Sequence, residues 1–145
     1  MINFMKNYEA QCYALLRIVT GFLFLFHGTN YILSWPMPRG MADAVWYMAY
    51  IGMPILTFGG LFTCIGLFTR PAAFLSSGMM AVAYWMTYGS KAFNPPADST
   101  NSFIELMLPM VNRGELATMF CFAFLYISAR GSGIWSVDAA RGNSD

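Results

Sequence analysis

Charge is what this sequence has least of. Eight Lys and Arg and seven Asp and Glu make up 10% of its 145 residues, where an ordinary soluble domain carries about 25%. So few charges cannot solvate a globule of this size, and a net charge of +1 offers nothing to attract nucleic acid. Histidine occurs once, at His27, and Cys12, Cys64 and Cys121 stand apart in separate apolar runs with no Cys-x-x-Cys pair. That pattern excludes a disulfide framework and a metal cage built from protein ligands alone. A glycine-rich phosphate loop and a nucleophile elbow are both missing, which removes the common nucleotide-binding and serine-hydrolase classes. The twelve methionines form no regular Met-x-x-Met repeat and read as fillers of irregular gaps.

What is present is hydrophobic sequence, 57% of the chain, gathered into long runs. The run from Leu15 to Ile32, LLRIVTGFLFLFHGTNYI, has the length and greasiness of a membrane-spanning helix but carries an arginine and the sole histidine. Placed on a helix, Arg17, Thr20, Phe24, His27 and Tyr31 share one face with Gly21 and Gly28 beside it, while Ile18, Val19, Phe22, Leu23, Leu25 and Phe26 form the other. Glycine admits a neighbouring backbone and polar groups are costly in lipid, so the first face is expected to turn inward and the second to meet acyl chains. The run is too long for the apolar core of a signal peptide and lacks a small-x-small cleavage site, so it is expected to remain in the mature protein.

Further along, Pro36, Pro38 and Gly40 mark a loop over residues 34–43, and a short helix from Ala42 to Tyr50 leads to a second span over about Pro54–Phe68, short enough that a smaller tilt and a start before Pro54 are the alternatives. After the turn Thr69-Arg70-Pro71, a third span follows with a seam of small residues at Ala73, Ser77 and Ala81 and interfacial aromatics at its end. Residues 89–109 read as an extramembrane loop holding a short helix near Phe103–Leu108. In the last span, Asn112 and Glu115 have capping-box spacing, and Glu115, Thr118, Phe122 and Tyr126 share a face expected to oppose the inward face of the first span.

The expected architecture is a single domain over residues 1–145, all-α, a four-transmembrane-helix bundle with short interfacial helices and spans at about 12–33, 54–68, 72–88 and 114–129. Four spans place both termini on one side. That side holds Lys6, Arg17, Arg70, Arg130 and Arg141 against Arg39, Lys91 and Arg113 opposite, so the termini are expected in the cytoplasm.

Each polar residue in such a bundle has two readings. His27 is a neutral imidazole that fixes helix packing by bonding to a carbonyl, a hydroxyl or Glu115, or else a partner for a quinone head group or a proton-handling residue. Arg17 either pairs with Asp138 or another carboxylate of the tail, or binds an acidic lipid head group or anionic substrate. Glu115 is a capping residue or a proton-handling partner of His27. The candidate polar cluster is therefore His27, Glu115, Thr118 and Tyr126, and the candidate structural charges are Arg17, Arg70 and Asp138. No catalytic residue and no metal ligand is assigned.

Three stretches, LLRIVTGFLFLFHGTNYI at 15–32, GGLFTCIGLFTRPAAFL at 59–75 and NRGELATMFCFAFLYISARGSGIWSVDAA at 112–140, together resemble the DoxX family of small four-helix membrane proteins. The last is similar to the family's Asn-Gly-Gly-Glu helix start and Gly-x-Trp-Ser-x-Asp tail, with Arg113 in place of a glycine. Asn30 stands where the family often has lysine, and Leu56 near a common acidic position. By position, the matching polar residues are Arg17, His27, Arg70, Glu115 and Asp138. The resemblance implies a multi-pass protein of the bacterial inner membrane linked to quinone-coupled redox systems, such as the membrane subunit of thiosulfate:quinone oxidoreductase. It further implies no cofactor of its own beyond a quinone or bound lipid. The expected partners are the bilayer and other membrane subunits or a second copy. The leading expectation is an accessory subunit of a redox complex, with a quinone-linked oxidoreductase subunit and a small transporter or lipid-binding protein as the alternatives.

Overall fold

The computed structural model describes residues 5–34, 46–95, 97 and 100–142, and among these it is helical throughout. A single 3-10 turn, Lys6–Tyr8, feeds α1, Glu9–Leu33. α2 covers residues 46–65, α3 residues 69–93, α4 Phe103–Met107, α5 Pro109–Asn112, α6 Glu115–Arg130 and α7 Val137–Ala140. Two stretches, Lys6–Leu33 and Met48–Ile65, are long and apolar enough to cross a membrane. The loop expected at residues 35–43 and the start of the helix expected from Ala42 lie outside the described residues.

The four long helices form a ring in which α1 packs on α2, α2 on α3, α3 on α6, and α6 returns to α1. Glu9 meets Arg130, Tyr13 meets Tyr126 and His27 meets Phe120, so α1 and α6 run antiparallel. All four helices contribute to one core of Phe24, Leu56, Ala73, Phe120, Phe124 and Ile127, with the rings of Phe24 and Phe124 4.6 Å apart. Outside it, Val19, Phe22, Leu23, Phe58, Phe74, Leu75, Met119 and Phe122 are exposed. An apolar surface of that extent suits lipid and not water.

The α1–α2 seam rests on glycine. A side chain at Gly21 would come within 2.5 Å of the Cys64 backbone nitrogen, and one at Gly60 within 2.5 Å of the Leu25 nitrogen. The two backbones therefore touch, as the Gly21 and Gly28 spacing predicts. On α3 the small-residue seam is also buried at Ala73 and Ser77, where Ser77 Oγ donates to the Cys121 carbonyl at 2.8 Å.

Three expectations need correction. The second helix does not start at Pro54 but is continuous from residue 46, because its backbone widens into π-turns at Met48–Gly52 and Ile55–Gly59. Such turns absorb the missing N–H and the ring bulk that make proline a helix breaker. The capping box is made by Ser102 and Glu105 at the start of α4. Asn112 instead accepts from the Gly114 amide at 2.8 Å and donates to the Leu106 carbonyl at 3.0 Å and the Tyr84 hydroxyl at 3.2 Å, stitching the loops at that end. Finally, the buried face of α6 is Ala117, Phe120, Phe124 and Ile127, with Glu115, Phe122 and Tyr126 exposed. Thr118 donates to the Gly114 carbonyl of its own helix, so its hydroxyl needs no inward partner, and the bulky Phe face wins the core.

Candidate functional site

Past the Phe24–Phe120 layer, the four helices splay around a cavity of about 310 Å³. The last two turns of α1 bring His27, Asn30 and Tyr31 to it at helical spacing, and α3 supplies Thr87 and Tyr88. The walls are Phe24, Phe120, Leu56 and the thioethers of Met48, Met79 and Met80. Among the described residues, no lysine, arginine or carboxylate lines it. Met48 and Leu56 sit in the π-turns of α2, and Thr87 and Tyr88 in a third π-stretch, Tyr84–Gly89. Widened turns re-aim side chains off the regular helical path and are frequent at functional sites.

His27 is exposed and not desolvated in a packed core as its depth in the run suggests, because it stands on the cavity rim. Its ring meets Phe120 edge to face, centroids 5.9 Å apart. The other members of the predicted cluster do not join it. Glu115 sits in the first turn of α6, Thr118 lines a separate groove with Tyr84, Trp85 and Cys121, and Tyr126 lies at the opposite end against Tyr13. Asn30, Thr87 and Tyr88 were not singled out from the sequence as site residues. The signal for them was the i, i+3, i+7 row Met80, Ala83 and Thr87 on α3 and the i, i+3 pair His27 and Asn30 on α1.

The opposite end is closed by the polar tail. Arg17 is fully buried, and its Nη2 donates to the Trp135 carbonyl at 2.7 Å while Nη1 packs against Gly66. The Asp138 N–H donates to the Gly66 carbonyl at 2.9 Å. Its carboxylate accepts from the Phe68 and Thr69 amides and the Thr69 hydroxyl, each at 3.0 Å. Burial pushes the Asp138 carboxyl up, but these bonds and Arg141 outweigh it and hold the group below its usual range. Arg17 and Asp138 thus grip the same tail through different partners, and Asp138 caps α3 from a distant segment. Arg70 donates to the Ala129 carbonyl at 2.9 Å, in the last turn of α6. Tyr13 adds a hydroxyl donated to the Gly131 carbonyl.

A helical chain sheathed in apolar side chains, with two helices long and apolar enough to cross a membrane and much of its polarity turned inward or gathered at its ends, is of the membrane-protein class. The DoxX family model matches residues 12–89, so this membrane protein belongs to the DoxX family. A Haemophilus influenzae protein described only as uncharacterized is 32% identical over 139 residues, 94% of this chain and 96% of its own length. No solved structure matches the chain.

Proposed function

We propose that this chain is a four-span subunit of a redox or energy-conversion complex in the bacterial inner membrane, with both termini cytoplasmic, and that its cavity receives the head group of a quinone. The observation that carries the reading is the cavity's chemistry. Among the described residues, one imidazole, one amide and three hydroxyls converge in a chamber walled by aromatic and thioether side chains, with no charged side chain in its lining. Such a lining suits a neutral, planar, hydrogen-bonding head on an apolar tail and disfavours ions. Asn30 and the hydroxyls of Tyr31, Thr87 and Tyr88 donate to carbonyl oxygens, and His27 accepts from or donates to the same head group according to its redox state. A quinone stores two electrons and two protons; the side chains here store none, so a partner subunit supplies the electrons.

The protein purified in mild detergent should bring a redox subunit with it and bind a short-tailed ubiquinone or menaquinone analogue. His27→Ala should weaken that binding about tenfold, the loss of one hydrogen bond to a buried polar group. Equal affinity in the variant would remove the head-group role, and a lone monomer would remove the complex. Proton-coupled transport calls for a membrane-embedded carboxylate, and among the described residues none lines the cavity.

A further inference from the structure

A second cavity, about 480 Å³, opens where the start of α1 passes the end of α6. Along α2, α1 is held backbone to backbone by glycine, but toward α6 it reaches across with long side chains, and this leaves a groove. Met5, Cys12, Tyr13 and Leu16 make its apolar wall, and Lys6, Glu9 and Tyr126 its polar lip.

Charge at the lip is arranged unequally. Glu9 is taken up by Arg130 at 2.9 Å. Arg130 also lies 4.9 Å from the centre of the Tyr13 ring and donates to the Tyr126 hydroxyl at 3.4 Å. Lys6 has no ion pair or side-chain hydrogen bond among the described residues. The same end of the bundle gathers Arg17, Arg70 and Arg141, and its described carboxylates are Glu9 and Asp138, both engaged. Exposed Tyr8, Tyr126 and Trp135 lie at this level, as amphipathic rings do at a membrane boundary. An apolar groove that ends in an ammonium with no partner among the described residues, within a cationic, aromatic belt, complements a molecule with an acyl chain and an anionic head.

We propose that this groove is a site for an anionic glycerophospholipid, its phosphate beside Lys6 and Arg130 and an acyl chain along Cys12 and Leu16. The site is separate from the quinone cavity and stands or falls without it. The test is native mass spectrometry of the full chain in mild detergent, offered phosphatidylglycerol and phosphatidylcholine with the same acyl chains. Phosphatidylglycerol should be retained at least fivefold over phosphatidylcholine. Lys6→Glu should bring the two to parity, Leu16→Trp, which fills the groove, should lose both, and Leu33→Trp at the far end should change neither. Lys6 is exposed, so its variant carries the test even if Leu16→Trp fails to fold. Equal retention of the two lipids by the unaltered protein, or a preference that survives Lys6→Glu, would overturn the proposal. Displacement of phosphatidylglycerol by millimolar inorganic phosphate would show a plain anion site and overturn the acyl-chain part.

Discussion

Gly66 answers to three demands at once. Its φ of +72° is left-handed, its carbonyl accepts from Asp138, and its Cα lies against the Arg17 guanidinium. A methyl group there is penalised both by conformation, about 1–2 kcal/mol, and by collision with a buried side chain. Gly66→Ala should therefore lower the thermal midpoint of the detergent-solubilised protein. Gly78→Ala is the internal comparison: nothing lies within 4 Å of a side chain there, so it should be neutral or raise the midpoint. Asp138 yields a pH prediction with a definite sign. Its folded pKa is depressed, so its stabilisation is fully present above the ordinary carboxylate pKa and is lost as pH falls through the lower, folded value. Acid unfolding curves should show this loss, and Asp138→Asn should abolish that component while costing about 1.5–3 kcal/mol at neutral pH, the worth of hydrogen bonds to a charged group. A variant with the unaltered protein's acid profile would show that the carboxylate contributes nothing to the pH dependence.

Helices behave here according to what their backbones permit. The close approach of α1 and α2 was legible in the spacing of Gly21 and Gly28, because absence of a side chain is a local property that only a near neighbour exploits. Gly21→Val should force the pair apart and destabilise by about 1–3 kcal/mol, the usual effect of overpacking, readable as a fall in thermal midpoint with helicity retained. An unchanged midpoint would mean that the seam is looser than the geometry has it. The course of α2 was legible only in part, the shortness of a span from Pro54 leaving room for an earlier start. Proline ordinarily starts a helix, and the π-turns that carry residues 46–65 past Pro54 depend on hydrogen bonds five residues apart, which no residue type announces. The inward face of α6 was misread for a related reason. Polarity marked Glu115, Thr118 and Tyr126, yet the contact that decided the rotation was the fit of Phe120 and Phe124 around Phe24.

Taken whole, the molecule has two unlike ends. At one, the tail, Arg17 and the α2–α3 turn are tied by a dense set of hydrogen bonds; at the other, the helices diverge around His27 and the cavity. An antiparallel ring of four helices places both termini together, and if the proposed four-span, cytoplasmic-termini topology holds, reporter tags fused at either end should both be active in the cytoplasm and both be shielded from protease added outside intact spheroplasts. Opposite behaviour of the two tags would refute a four-span topology. The ion pair between Glu9 and Arg130 should matter little to this framework. It is exposed to solvent, and Glu9→Gln should cost less than about 1 kcal/mol.

Composition and periodicity by themselves determined the helical class, the membrane setting and the glycine seam, since each follows from the cost of placing polar groups and backbone amides among apolar ones. Which side chains share a site was decided only by tertiary structure. His27 joins Asn30, Tyr31, Thr87 and Tyr88 and not Glu115, and Asp138 joins the α3 amides and not the Arg17 guanidinium. Facing across a bundle depends on the rotation of each helix about its axis, and that rotation is set by the packing of large rings in a crowded core, a property of four segments together and of none alone.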